Sequence, residues 1–264
     1  MLTSSMLNQF RQRSEELEFI DTGDYTPAEY EGCIIELQRV NRWLGDTSAL
    51  RHSLLAEIER QNLAEFSVLD VGAGSGELLK VIANWARRSR RHALLTGLEL
   101  NPRSTAVMSE RQTIFPEITA IRGDAFHLPF ADDQFDYGLC SLFTHHFTDP
   151  EVVSILRELA RVASREIFVI DLYRHPVAYF FYTTLGRLFL HNRLIRHDGA
   201  LSILRSFTPD ELQRLAFEAG LKDVTVTRRF PYRLVLSGKK RKAETVADDY
   251  AVIQSNRLTN TKVA

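Results

Sequence analysis

The sequence predicts a Rossmann-like α/β fold, a mostly parallel sheet covered by helices on both faces. Three observations carry this. From Phe66 onward short apolar runs alternate with amphipathic stretches of helical period. A glycine-rich turn, Gly72 to Gly76, joins the first run to the first amphipathic stretch. Two closing β-type runs follow the last helix.

The elements follow in order. Residues 1–63 read as a helical extension. Leu37, Val40 and Leu44 recur at helical spacing, as do Leu50, Leu54, Leu55 and Ile58. Thr26-Pro27 resembles a helix start, Gly45 closes that segment, and a second helix begins near Thr47. Strands are expected over 66–71, 93–98, 118–122, 136–141 and 166–172. Helices are expected over 77–88, 102–112 and 150–162 between them. The stretch 177–194 is apolar and aromatic, with Tyr179, Phe180, Phe181, Tyr182 and Phe189. Thr208-Pro209-Asp210-Glu211 is a capping box opening a helix that ends at Gly220. Strands over 224–228 and 233–237 close the domain. The division is then 1–63 as a helical cover, 64–238 as the main domain with 173–205 as a lid insertion, and 239–264 as a solvated tail.

Bulk properties narrow the function classes. The 264 residues are 44% hydrophobic and 25% charged, enough for a full core. The formal net charge of −1 gives no global field to attract nucleic acid or an anionic membrane. Cys33 and Cys140 lie far apart and form neither a disulfide framework nor a metal-ligand spacing. The charged N-terminus lacks the apolar region of a signal peptide, and no apolar run reaches the ~18 residues of a spanning helix. The expected location is cytoplasmic and the expected partner a small molecule.

Asp70-Val71-Gly72-Ala73-Gly74-Ser75-Gly76 sits at the carboxyl end of the first strand, where open α/β sheets bind ligands. Dinucleotide sites use G-x-G-x-x-G. Here the third glycine comes one residue early, and Glu77 stands in its place. A carboxylate beside a pyrophosphate is repulsive. An acidic loop, Asp70 included, suits a ligand carrying an amino group and a sulfonium. Glu99 ends the second strand, where an acid accepts hydrogen bonds from ribose hydroxyls. Asp124 follows the third strand in Gly123-Asp124-Ala125-Phe126. It can accept from an adenine amino group while Phe126 packs on the ring.

Val68 to Gly76 resembles the first motif of class I S-adenosylmethionine-dependent methyltransferases. Glu99 matches their ribose acid and Asp124 their adenine-side acid. Leu128-Pro129-Phe130 through Asp136, Ser141 through Phe147, and Arg157 through Val162 resemble the ubiquinone/menaquinone-biosynthesis-like branch. The resemblance runs from about residue 66 to 172, with weaker support to 237. It implies a seven-stranded sheet whose last strand inserts antiparallel, S-adenosylmethionine as cofactor and S-adenosylhomocysteine as product. The cofactor residues it implies are Asp70, Gly72, Ala73, Gly74, Gly76, Glu99, Leu100, Asp124, Ala125, Phe126, Ser141 and Leu142.

The acceptor is less legible. His145 and His146, just past the fourth strand, are the candidate bases. Their other reading is that they cap the turn or pack beneath the adenosine. His191, His197 and His175 are weaker candidates. Asp/Asn-Pro-Pro-aromatic, the clamp of amino-methylating nucleic-acid enzymes, is absent after that strand. Asp171 sits at a strand end without obvious partners, so no metal is expected. The segment 173–204 is a lid of the kind that encloses small molecules, or else a core helix or dimer face. Arg187, Arg193, Arg196 and Arg205 interleave with it, to meet an acidic acceptor or to reach water. In Asn41-Arg42-Trp43-Leu44-Gly45, Arg42 is a candidate partner for the cofactor carboxylate. The expected reaction is methylation, at oxygen first, of a quinone-, phenol- or polyketide-like acceptor. A nicotinamide-dependent oxidoreductase and a non-catalytic binding module are the alternatives.

Overall fold

The computed structural model describes residues 8–26, 29, 32, 33, 36, 45–184, 186 and 190–241. The expected helix from Pro27 to Gly45 lies mainly outside them. Its start is visible: the Thr26 amide donates to Glu29 Oε2 (2.9 Å) and the Glu29 amide to Thr26 Oγ1 (3.3 Å), a reciprocal cap.

In chain order the helices are α1 (Phe19–Thr22), α2 (Asp46–Leu50) and α3 (Ala56–Arg60), the last two joined by a π-helical turn, Arg51–Leu55. Then come α4 (Glu77–Arg88), α5 (Pro102–Glu110) and α6 (Asp149–Val162). The last are α7 (Pro176–Thr184), α8 (Arg193–Arg205) and α9 (Pro209–Glu218). The strands are β1 (Glu65–Val71), β2 (His92–Glu99), β3 (Ile118–Arg122), β4 (Phe135–Ser141), β5 (Ala163–Leu172), β6 (Leu221–Arg229) and β7 (Arg233–Lys240). They form one sheet in the order β3-β2-β1-β4-β5-β7-β6. β7 pairs antiparallel with both β5 and β6; the pairs among β1 to β5 are parallel. The expected seven-stranded fold with an antiparallel last strand is therefore present.

Strand order reverses between β1 and β4, so the crevice at their carboxyl ends is the place for a ligand. Two apolar clusters cover the two faces. One packs α6 and α9 on the sheet, with Leu156, Leu159, Leu212 and Leu215 fully buried. The other packs α2, α3 and α4, with Leu50, Ile58, Leu79 and Ile82 fully buried. Local chemistry sets the helix ends. Asn101 caps α5, and the predicted Thr208–Glu211 box opens α9. β7 continues past the expected tail start, because Lys239 and Lys240 pair with Lys222 and Leu221 and reach Asp223 and Asp133. Among the described residues no helix is long and apolar enough to cross a membrane.

The sequence predicts two separate covers, the N-terminal extension and the insertion after β5; among the described residues these two segments pack against each other. Cys33, Leu190, Leu194 and Ile195 form a small core with Phe19, Tyr25 and Tyr182 against it. The amides of Phe19 and Ile20 donate to Asp198 in α8 (3.0 and 3.1 Å). Arg13 from the first segment and Arg205 from α8 both hydrogen-bond the turn after β4.

A buried ion pair anchors this end of the sheet. Arg233, opening β7, binds Asp46, the first residue of α2, and both are buried. Burial raises the Asp46 carboxyl above the usual range, against the pull of Arg233. Replacing Arg233 with Met leaves that acid without its counter-charge. Thermal unfolding should show a loss of about 3 kcal/mol, a Tm drop of roughly 10 °C. An unchanged Tm would remove this pair from the forces holding α2 to the sheet.

Candidate active site

The glycine turn leaves β1 as a tight bend whose geometry demands glycine. Gly72, Gly74 and Gly76 all have positive φ. A Cβ on Gly72 would stand 2.5 Å from the Phe143 ring, whereas one on Gly74 would meet nothing within 4 Å. The first glycine lets Phe143 pack, and the second leaves backbone open to a ligand. The Gly72 and Ala73 amides donate to Leu98 O (2.9 and 3.1 Å), and the Gly74 amide to Glu99 Oε2 (2.9 Å). The turn and the end of β2 are thus one unit.

Glu99 Oε1 accepts from the Asn101 amide at 2.8 Å, so each carboxylate oxygen is oriented and keeps a lone pair for a hydroxyl donor. Asp124 closes a local turn through the Phe126 amide (3.0 Å), with half of its side chain exposed. Phe126 stacks edge-on with Phe147, which meets Phe143 in turn. Ala125 is buried, while Leu100 is 63% exposed. Ser141 ends β4, and Leu142 takes a left-handed φ of 49°, strained for a branched side chain, fixed by its amide on Ile170 O.

Asp70 is buried and its Oδ1 has no hydrogen-bond partner. Burial, with Glu99 nearby, pushes its pKa up to about 8. An orphaned acid beneath open glycine backbone, next to a second acid, fits a ligand with an ammonium and a sulfonium. Glu77 behaves otherwise than expected. Arg111 and Lys80 pair with it and hold its carboxyl low, so the acidity of this loop resides in Asp70 and Glu99.

These features meet the comparisons with known proteins. A family model described as a methyltransferase domain matches residues 69–170. The ubiquinone biosynthesis O-methyltransferase of Pseudomonas syringae pv. tomato is 31% identical over 172 residues, covering 62% of this chain and 68% of that protein. The chain belongs to the class I S-adenosylmethionine-dependent methyltransferases. The demethylmenaquinone methyltransferase of Bacillus licheniformis is 26% identical over 171 residues, 60% of this chain and 71% of its own. The solved structure of human N-acetylserotonin methyltransferase in complex with its cofactor has a TM-score of 0.60 at 16% identity, covering 89% and 65% of the two chains. That last likeness concerns the fold. The methyltransferase uses S-adenosylmethionine.

At the acceptor side the structure adds what sequence missed. Asp171, expected to lack partners, is the best-connected acid of the site. Its Oδ2 accepts from Thr144 Oγ1 (2.6 Å) and the His145 amide (3.2 Å), and its Oδ1 lies 2.6 Å from His145 Nδ1. Burial alone would raise Asp171, but His145 and these hydrogen bonds hold it at about 2. An ionised carboxylate only accepts, so Nδ1 carries a hydrogen and Nε2 is the ring nitrogen turned away from Asp171. Nε2 faces Glu18 Oε1 at 4.0 Å, and His145 and Glu18 are both buried. Burial pushes Glu18 up to about 7. His146 Nδ1 lies 3.3 Å from Asp21.

The expected absence of a metal site now meets a cluster: Glu18, His145 and His146 bring three ligand atoms within 4.8 Å of one another. Arg205 does not reach out to an acceptor or to water. It is buried and donates to the carbonyls of His145, His146 and Glu16. Arg193 pairs with Glu29, His197 stacks on Phe19, and His175 stacks on Tyr232. His191 meets Glu36 through its amide. Arg42 and Arg187 lie outside the described residues. Nothing in the sequence marked Glu18, which sits in an ordinary charged stretch; Asp171 was marked only by its strand-end position.

Two outcomes follow. Glu99→Ala should weaken S-adenosylhomocysteine binding at least tenfold in calorimetry, with the fold retained by circular dichroism; unaltered affinity would remove Glu99 from the cofactor site. Asp70, raised in the folded state, contributes stability that is full below about pH 4 and lost as pH rises through about 8. The Tm of Asp70→Asn should therefore fall less than that of the parent between pH 5 and pH 9. Equal slopes would show that Asp70 does not titrate in that window.

Proposed function

We propose that this methyltransferase methylates an oxygen of a small, partly apolar acceptor of quinone-, phenol- or polyketide-like chemistry, with His145 as the general base. The observation that carries the reading is the buried Asp171–His145 pair, 2.6 Å apart, beside the glycine turn. Phe143, two residues before His145, packs on Gly72 of the glycine turn, which supports a role for the neighbouring His145 in the same site.

S-adenosylmethionine, when bound, supplies a methyl group on a sulfonium, already activated toward displacement. The chain's task is then to place the acceptor and remove its proton. Gly74, Asp70 and Glu99 bind and orient. Asp171 fixes the His145 tautomer and balances the imidazolium formed when Nε2 takes the proton. Leu142 and Ser141 line the same turn, and Asp124, Ala125 and Phe126 flank the adenine side. The relatives, an O-methyltransferase of ubiquinone biosynthesis among them, support oxygen as the acceptor atom. Tyr173, Tyr179 and Tyr182, with the exposed Phe180 and Phe181, support an aromatic or apolar acceptor. On this reading residues 64–238 form the catalytic domain and 1–63 with 173–205 form its cover.

The test is methyl transfer to a panel of phenols and hydroquinones, followed as S-adenosylhomocysteine release. His145→Ala should lower kcat by about 10²–10⁴-fold, with S-adenosylhomocysteine affinity changed by less than about threefold. Asp171→Asn should follow it, and His146→Ala should cost less. Full kcat in His145→Ala would overturn the base assignment.

A further inference from the structure

The acid–base pair uses the Nδ1 side of His145 and leaves its Nε2 side in an uncommon setting. His145 Nε2 stands 4.0 Å from Glu18 Oε1, and His146 Nδ1 stands 3.8 Å from Glu18 Oε2. Both separations exceed hydrogen-bond length. Three ligand-capable atoms therefore face a common point without bonding one another, all within 4.8 Å. Asp21 Oδ2 lies at hydrogen-bond distance, 3.3 Å, from His146 Nδ1, a contact that an ion on that nitrogen would replace.

The donor set and its support are those of a metal centre. Two imidazoles and a carboxylate are the preferred ligands of zinc-class ions, with bonds of about 2.0–2.2 Å that small side-chain rotations would reach. The opposite nitrogen of His145 is held by Asp171, the carboxylate–histidine arrangement that orients a ligating ring. Among the described residues no guanidinium hydrogen-bonds Glu18, although the charge of Arg205 acts on Asp21. The nearby guanidiniums of Arg13 and Arg205 donate to the carbonyls of His145, His146, Phe147 and Glu16, and Arg13 also pairs with Asp149. Among the described residues, the Ser202 hydroxyl, at 2.7 Å, is the one hydrogen-bond donor to the Glu18 carboxylate. The His146 and Asp21 side chains are 24% and 28% exposed, which gives an ion a way in.

We propose that Glu18, His145 and His146 hold one divalent transition-metal ion of the zinc–cobalt class, with Asp21 beside the fourth position. The site joins the N-terminal segment to the turn after β4. An ion there occupies Nε2, so metal binding and proton transfer by His145 exclude each other. The inference does not require methyl transfer to be correct.

The full chain, stripped with a chelator, is titrated with Co²⁺ and followed by visible absorption. One ion per chain with the intense bands of a low-coordinate cobalt site is expected, and Zn²⁺ should abolish them. Glu18→Gln and His146→Ala should each weaken binding at least tenfold, and Asp171→Asn about 10–100-fold. S-adenosylhomocysteine calorimetry on the same variants reports folding and cofactor binding separately. A cobalt spectrum that stays that of the free aqueous ion overturns the proposal, as does equal affinity in Glu18→Gln and the parent. Either result would leave the cofactor measurement, and the methyltransferase reading, intact.

Discussion

The carboxylate of Asp171 is the constraint on which the acceptor side depends. It ends β5 fully buried and accepts from the Thr144 hydroxyl and the His145 amide while facing the His145 ring. A buried anion needs donors of this kind, and β4 delivers them because it runs parallel to β5 in register up to Ser141 and Ile170. The strained Leu142 then turns the chain so that Thr144 and His145 arrive on the acid. Sheet register, backbone strain and histidine tautomer are thus one arrangement.

A second layer depends on that turn. With the turn in place its carbonyls point outward, and Arg13 and Arg205 take them. Arg13 comes from the N-terminal segment and Arg205 from the end of α8. Both segments therefore hold the His145 carbonyl, and Glu18 of the first segment bonds Ser202 in α8. The guanidinium fork suits this task, since one side chain serves several acceptors at once.

The cofactor half was legible in the sequence because it is local. Gly72, Gly74, Glu99 and Asp124 lie at strand ends, and strand ends are marked by hydrophobic period and turn residues. Their places in the fold could be read without knowing what packs against what. Glu77 shows the limit: its acidity was visible, but its neutralisation by Arg111, 34 residues on, was not. Asp171 looked isolated for the same reason, since its partners arrive from a neighbouring strand. Glu18 left no trace, because its meaning comes from contacts with Ser202 and His145 that no spacing rule encodes. The expected helix around Arg42 lies outside the described residues.

The distance along the chain between Glu18 and Ser202 is 184 residues, and Ser14 reaches Leu204 in the same way. Contacts of this span form late, because closing so long a loop is favourable only once both ends are already ordered. During synthesis Ser14 and Glu18 emerge long before Ser202 and Leu204, so these contacts form only after α8 has followed. The glycine turn and its acids lie in an earlier, more local block. A nascent chain can therefore assemble its cofactor crevice well before its histidine is enclosed.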